Sequence, residues 1–263
     1  MRVHCHRDGA SRRHPAVKTV GLTSMKAIAI IPARLASTRL NRKALRELAG
    51  EPLIVRVYRA VRVSPLLEDV IVATDSDEIM EVCRKKGVEA RMTSSSHRSG
   101  TERVHELASE IASDVYVNVQ GDEPLTRAEH IATLLEVMRD PAVRVGTLKT
   151  PAAPEDINNP AAVKVVTDLR GRALYFSRST IPFDRDGGAA EYFKHLGFYA
   201  YRKSALDLFV SLPESALERA ERLEQLRFLE NGIAIQVGET PYDTIGVDTE
   251  EDLKRAEAAL QGR

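Results

Sequence analysis

Three short apolar runs, at residues 27–31, 70–73 and 115–119, constrain this chain more than any other feature. Each is too short for a helix that must bury a face. Each is also nearly free of the polar alternation of a half-exposed strand, so each reads as a strand covered on both sides. Helical patterns lie between them. Ile54, Val55, Val57, Tyr58 and Val61 keep helical spacing after Pro52, a good first-turn residue. Ser76 is placed to cap a helix that Gly87 ends, and a third helix is predicted over about 100–111. Strand, helix, strand, helix, strand predicts a parallel, doubly wound α/β sheet, with ligands at the carboxyl ends of its strands.

After about residue 143 the character changes. Residues 145–148, 163–167, 173–176 and 193–201 read as strands without long helices between them, which predicts antiparallel material added to the first half. Helices are predicted over 203–210 and 217–231, then a strand over 233–237 and a last helix over 249–260.

Lys+Arg and Asp+Glu balance at 38 each. No overall field is available to gather nucleic acid, so any bound anion must be held by a local cluster. No apolar run is long enough to suggest membrane insertion. Cys5 and Cys83 lack metal-ligand spacing and suit a reducing compartment. Residues 1–24 are basic, without the apolar middle of an export signal. They are expected to be a disordered tail or a misplaced start, with Met25 the natural first residue.

Four segments carry chemistry. The first strand runs into Ala33, Arg34, Ser37, Thr38, Arg39, Arg42 and Lys43, where freed amides and cations would cradle phosphate; a solvated basic loop accounts for it equally well. In His97-Arg98-Ser99-Gly100-Thr101-Glu102-Arg103, Ser99 and Gly100 open a helix, for which capping alone is a sufficient account. Asn118-Val119-Gln120-Gly121-Asp122-Glu123-Pro124 delivers two adjacent acids to the ligand edge. These are costly unless a cation or donor meets them, and oxygen ligands of this kind suit Mg²⁺. Asp248 precedes the last helix, where capping explains Thr249 to Asp252 and a metal-ligand role for Asp248 stays open. A fifth, scattered group contains Arg178, His195, Glu224 and Gln225, each beside apolar positions.

Together, IIPARLASTRL, ATDSDEI, HRSGTER, VNVQGDEP, NPAAVKVV, ALYFSRSTIP, HLGFYAYR, LERAERLEQLRFLENG and GVDTEEDL resemble the 3-deoxy-manno-octulosonate (Kdo) cytidylyltransferases, or CMP-Kdo synthetases, from Met25 to about Leu260. The resemblance implies a Rossmann-like nucleotidyltransferase core of the glycosyltransferase-A type. It also implies a mixed sheet, an inserted antiparallel sugar-binding and dimerisation part, and a cytoplasmic homodimer serving lipopolysaccharide biosynthesis. Residues 25–150 would be the nucleotide-binding half, 151–240 the sugar-acid and dimerisation part, and 241–263 the returning metal-ligand segment and helix. Arg34 and Lys43 would hold the CTP phosphates, Ser99 and Gln120 would contact the nucleoside, and Ala33 would belong to the same nucleotide-binding set. Asp122 and Asp248 would hold Mg²⁺, while Arg178, His195, Glu224 and Gln225 line the sugar-acid pocket.

The reaction implied is attack of the Kdo anomeric hydroxyl on the α-phosphorus of CTP, with pyrophosphate leaving in line. A second Mg²⁺ would sit on the triphosphate. Rival expectations are another acid sugar (amino-Kdo or a sialic acid), a non-catalytic nucleotide-binding protein, and a module acting through the basic tail. One departure stands out. The family loop reads Leu-Pro-Gly-Lys, whereas here it is Leu40-Asn41-Arg42-Lys43. A Cβ is added where backbone approaches phosphate, and Arg42 either adds a phosphate contact or shields one.

Overall fold

A computed structural model describes residues 25–36 and 40–262. The basic segment 1–24, and Ser37, Thr38 and Arg39 of the expected phosphate loop, lie outside the described residues. In chain order the main elements are β1 (Ala27–Ala33), α1 (Leu53–Arg62), β2 (Asp69–Thr74), α2 (Asp77–Lys86), β3 (Ala90–Met92), α3 (Gly100–Glu110), β4 (Val115–Val119) and α4 (Ala128–Val137). There follow β5 (Val145–Pro151), β6 (Lys164–Thr167), β7 (Ala173–Ser177), β8 (Phe193–Tyr201), α5 (Lys203–Ser211), α6 (Ala216–Glu221), α7 (Leu226–Glu230), β9 (Gln236–Glu239) and α8 (Glu250–Gln261).

Among the described residues these strands form a nine-stranded mixed sheet, with the order β9-β5-β8-β4-β1-β2-β3 and with β6 and β7 branching from β8, and a separate two-stranded antiparallel ribbon pairs Glu47–Leu48 with Glu51–Pro52. β3, β2, β1 and β4 are parallel. β8 runs antiparallel to both β4 and β5, so the later strands extend the same sheet. The apolar runs alternate as strands covered on both faces must. Ala27, Ala29 and Ile31 pack with α1, α2, α4 and α8 on one side. Ile28 and Ile30 pack with α3, α5 and α7 on the other.

Pro32, one residue past the apolar run 27–31, lies inside β1. Pairing with β4 stops at Ile30↔Asn118, while pairing with β2 continues through Pro32↔Ala73 to Ala33↔Thr74. Pro32 thus falls where one edge of the strand has already opened, a position proline tolerates. That opening is also where the chain leaves the sheet to build the site.

Two expectations are revised. The helix expected over 217–231 is two helices, because Arg222 takes a left-handed conformation (φ 55°). Glu218 and Arg227 are both buried and joined by two hydrogen bonds of 2.7 and 2.5 Å. Nine residues apart in one straight helix they would face opposite ways, so pairing them requires the break. α4 went unrecognised because Arg127, not a Ser, Thr, Asp or Asn, occupies its cap, and its backbone N–H donates to the His130 ring at 3.2 Å.

Arg42 also sits in the left-handed region (φ 54°, ψ 38°), at the position where the family loop has glycine. It forms an ion pair with Glu78 across half-exposed surface. Left-handed backbone costs a residue with a Cβ about 1–2 kcal/mol, and an exposed pair returns less than that once salt screens it. Arg42→Gly is therefore expected to raise stability by about 0.5–1 kcal/mol at high salt, measured by denaturant unfolding. A loss of stability under those conditions would contradict the strain argument.

Candidate active site

The carboxyl ends of β1 and β4 face the segment entering α8, and three charged side chains meet there. The Lys43 ammonium donates to Asp122 Oδ2 at 2.5 Å and to Asp248 Oδ1 at 2.8 Å. Burial alone would pull the Lys43 pKa down, but the two carboxylates more than reverse this and hold it above the ordinary lysine value. The backbone fixes the same meeting, since Val247 N–H donates to Asp122 O at 2.9 Å. Capping and site roles at the last helix are divided between neighbours. Thr249 accepts from Asp252 N–H and the Asp252 carboxylate reaches back to Thr249 N–H, which leaves the Asp248 carboxylate to the site.

The adjacent acids are met in two different ways. Asp122 faces Lys43, whereas Glu123 turns inward and accepts from Thr244 Oγ1 at 2.6 Å. Burial, then the nearby Asp122 charge, pushes Glu123 up to about 8 against the opposing Thr244 hydrogen bond, so near neutral pH it is held largely uncharged. Gly121 between Gln120 and Asp122 has a steric cause: a Cβ there would stand 2.8 Å from the backbone oxygen of Pro32.

Two cavities open on this cluster. One, of about 350 Å³, is lined by Ala33, Arg34, Lys43, Ser99 and Gly121. The other, of about 810 Å³, is lined by Arg178, Lys194, His195, Tyr199 and Gln225. Arg34, Gln120, Asp122, Glu224 and Asp248 line both, so the carboxylate pair stands where the cavities join.

The smaller cavity collects the expected nucleotide-binding residues. Arg34 is exposed in it. Ser99 caps α3, accepting from Glu102 N–H at 3.2 Å, and still borders the cavity, so capping and lining coexist in one residue. Gln120 Nε2 donates to Asn118 Oδ1 at 3.4 Å. Arg103 was not foreseen. It is buried, donates to Thr93 Oγ1 (2.7 Å) and Ser94 O (3.1 Å), pairs with Asp75, and so pins the loop carrying His97, Arg98 and Ser99. Its cue was Asp75, the first of three acids in ATDSDEI, for which the sequence offered no partner.

The larger cavity collects the expected sugar-acid residues. Gln225 is buried, and its Nε2 has no hydrogen-bond partner among the described residues. Glu224 accepts from Thr101 Oγ1 at 2.8 Å, and burial raises it above the ordinary glutamate value. Arg178 is already engaged: Nε donates to Glu221 O (2.8 Å) and Nη1 to Pro160 O (3.0 Å). His195 shares a 2.9 Å hydrogen bond with Thr147 Oγ1 and packs edge-on to Phe176.

The donor set suits a divalent ion that keeps outside ligands. Asp122 and Asp248 supply two carboxylates within reach of one ammonium, and no group of three or more His, Cys, Asp or Glu is arranged for a metal among the described residues. Mg²⁺ is commonly held by one or two carboxylates with phosphate oxygens and water completing the shell. No helix among the described residues is long and apolar enough to cross a membrane.

A mixed α/β sheet with a cation-lined loop, a strand-end carboxylate and a second carboxylate brought back before the last helix defines a nucleotidyltransferase, and residues 28–235 match the cytidylyltransferase family model. The chain is 68% identical to a 3-deoxy-manno-octulosonate cytidylyltransferase of Koribacter versatilis, over 91% of this chain and 92% of that protein. It is 55% identical to one of Acidobacterium capsulatum, over 92% and 99%. A solved structure of a CMP:2-keto-3-deoxy-manno-octonic acid synthetase complexed with CTP superposes with a TM-score of 0.86 at 42% identity, covering 90% of this chain and 99% of that one. The chain belongs to the 3-deoxy-manno-octulosonate cytidylyltransferase family.

Burial lowers the His195 pKa to about 3. An unfolded histidine titrates near 6.5, so below that pH the unfolded chain binds a proton that the folded chain refuses. His195 therefore reduces stability as pH falls from about 6.5 towards 3, by up to ~1.4 kcal/mol per pH unit. Denaturant unfolding of the ligand-free protein between about pH 7 and pH 5 should show a shallower loss in His195→Gln than in the parent. Equal slopes would mean that the imidazole takes up its proton in the fold.

Proposed function

We propose that this protein transfers CMP from CTP to the anomeric hydroxyl of Kdo, giving CMP-Kdo and pyrophosphate. The observation that carries this reading is the junction of the two cavities at Asp122 and Asp248. A nucleotide in the smaller cavity and an acid sugar in the larger one would meet at the carboxylate pair. The named activity of the relatives and the CTP complex of the similar structure support the assignment of substrates.

Both reactants are anionic, so the site must bring like charges together. Arg34 and Lys43 bind the triphosphate and offset the charge gathering on the departing pyrophosphate. Ser99 and Gln120, with the Ala33 backbone, fix the nucleoside. Arg178, His195, Glu224 and Gln225 orient the sugar acid. The open donor of Gln225 accounts for a substrate hydroxyl or ring oxygen as its partner. The bond formed is from the sugar oxygen to the α-phosphorus, and the bond broken is from the α-phosphorus to the bridging oxygen, which leaves with the β- and γ-phosphates. The hydroxyl proton passes to solvent. Mg²⁺ held by Asp122 and Asp248 would supply charge neutralisation at the phosphates and lower the pKa of the attacking hydroxyl.

We further place the enzyme in the cytoplasm as a homodimer. The buried free thiol of Cys83 fits a reducing compartment. Exposed Leu169, Leu174 and Phe183 offer apolar surface within the 151–240 part for a second copy.

Pyrophosphate release from CTP plus Kdo, with and without Mg²⁺, tests the reading, and metal-dependent release is the expected result. Asp122→Asn should reduce turnover by on the order of 10³-fold while the melting temperature stays close to the parent's. Turnover near the parent level would remove Asp122 from the reaction.

A further inference from the structure

Lys164 is the most deeply buried cation among the described residues, and the reaction does not use it. It is wholly buried, and its three ammonium protons are matched by three backbone carbonyls: Asn159 O at 2.7 Å, Ala162 O at 2.6 Å and Arg178 O at 2.8 Å. With all three donors committed, it has none left for a substrate. Burying an ammonium among neutral acceptors is expensive, and a lysine rarely occupies such a place without stabilising something specific. What it joins is two segments that line the larger cavity: Asn159 and Ala162, ahead of β6, and Arg178, just past the end of β7. Lys164 also pairs with Ser177 of β7 and Lys194 of β8, at the point where the antiparallel branch meets the main sheet.

A second grip acts on the same residue from the opposite side. Glu221, the last residue of α6, accepts from Ser177 Oγ at 2.6 Å and from Arg178 N–H at 2.9 Å. Its backbone oxygen accepts from Arg178 Nε at 2.8 Å. The Arg178 peptide is thus held at its carbonyl by Lys164 and at its amide by Glu221. Its guanidinium is held at Nε and Nη1, and Nη2 has no partner among the described residues. The left-handed Arg222 follows Glu221 directly and leads to Glu224 and Gln225, so this grip also ties the helix pair bearing those residues to β7.

We propose that Lys164 and Glu221 are positioning residues which clamp Arg178 from two sides, so that its one uncommitted guanidinium edge is preset for the carboxylate of an acid sugar. The proposal rests on the larger cavity being the acid-sugar pocket. It makes affinity for the sugar depend on two residues that do not touch it, because a donor fixed beforehand loses little freedom on binding.

The test is steady-state pyrophosphate release with Kdo varied at saturating CTP, and CTP varied at saturating Kdo, for the parent, Lys164→Met and Glu221→Gln. Each variant is expected to raise the KM for Kdo by about tenfold and to leave the KM for CTP within twofold, with melting temperature confirming the fold. Glu221 lies near the surface and decides the matter if Lys164→Met does not fold. A Kdo KM within twofold of the parent in the folded variants, or equal rises in both KM values, overturns the clamp while leaving the substrate reading intact. A parent enzyme that releases no pyrophosphate with Kdo overturns the substrate reading, and the clamp with it.

Discussion

The site depends on one ammonium shared by two carboxylates. Lys43, Asp122 and Asp248 come from three distant parts of the chain: a turn after β1, the end of β4 and the approach to α8. Two carboxylates brought to one strand edge repel each other, and being only partly exposed they are incompletely screened by water. Lys43 resolves that repulsion, and the Val247–Asp122 backbone bond ensures that the last segment returns to the same edge. The rest of the sheet can be read as the frame that keeps these three points together: parallel strands deliver the first two, and α8, packed on the α1 and α4 side, delivers the third.

Charge is then handled differently in the two cavities. Beside the smaller cavity Lys43 is held by two groups of opposite charge. Beside the larger cavity the Arg178 guanidinium is held by neutral carbonyls, which fix its direction, while the Glu221 carboxylate engages its backbone N–H. A triphosphate is long and multiply charged and tolerates a responsive cation. A sugar acid offers a single carboxylate, and discriminating it from a neutral sugar requires a fixed one.

Much of this was legible in the sequence, and what was illegible has specific causes. The buried strands announced the doubly wound core because a strand covered on both faces must be apolar throughout. The paired acids announced a cation, since 122–123 could not sit unpartnered at a strand end. The direction each acid would take was hidden, because it depends on Thr244 reaching Glu123 from far along the chain. α4 was missed because its start is held by a histidine ring in place of a conventional cap, and the break at Arg222 because its cause is the Glu218–Arg227 pair, visible only once both are buried. Arg103 and Lys164 were passed over for a shared reason. In a sequence a cation beside apolar residues looks like a solvated edge, and only the fold reveals the partners: three backbone carbonyls for Lys164, and Asp75, Thr93 and Ser94 for Arg103.

The Asn41-Arg42 departure can now be placed in that scheme. The position needs left-handed backbone, which explains glycine in the family loop. Arg42 meets the same requirement at a cost, and its side chain runs to Glu78 on α2, not to the carboxylates or to the smaller cavity. The added Cβ therefore bears on loop stability, while the group that meets Asp122 and Asp248 is still Lys43, one residue on. In the function proposed above, the loop's chemical contribution resides in that lysine and in Arg34, both retained here. Backbone strain and the charge that meets the carboxylates are carried by adjacent residues of one turn, and the first can vary without changing the second.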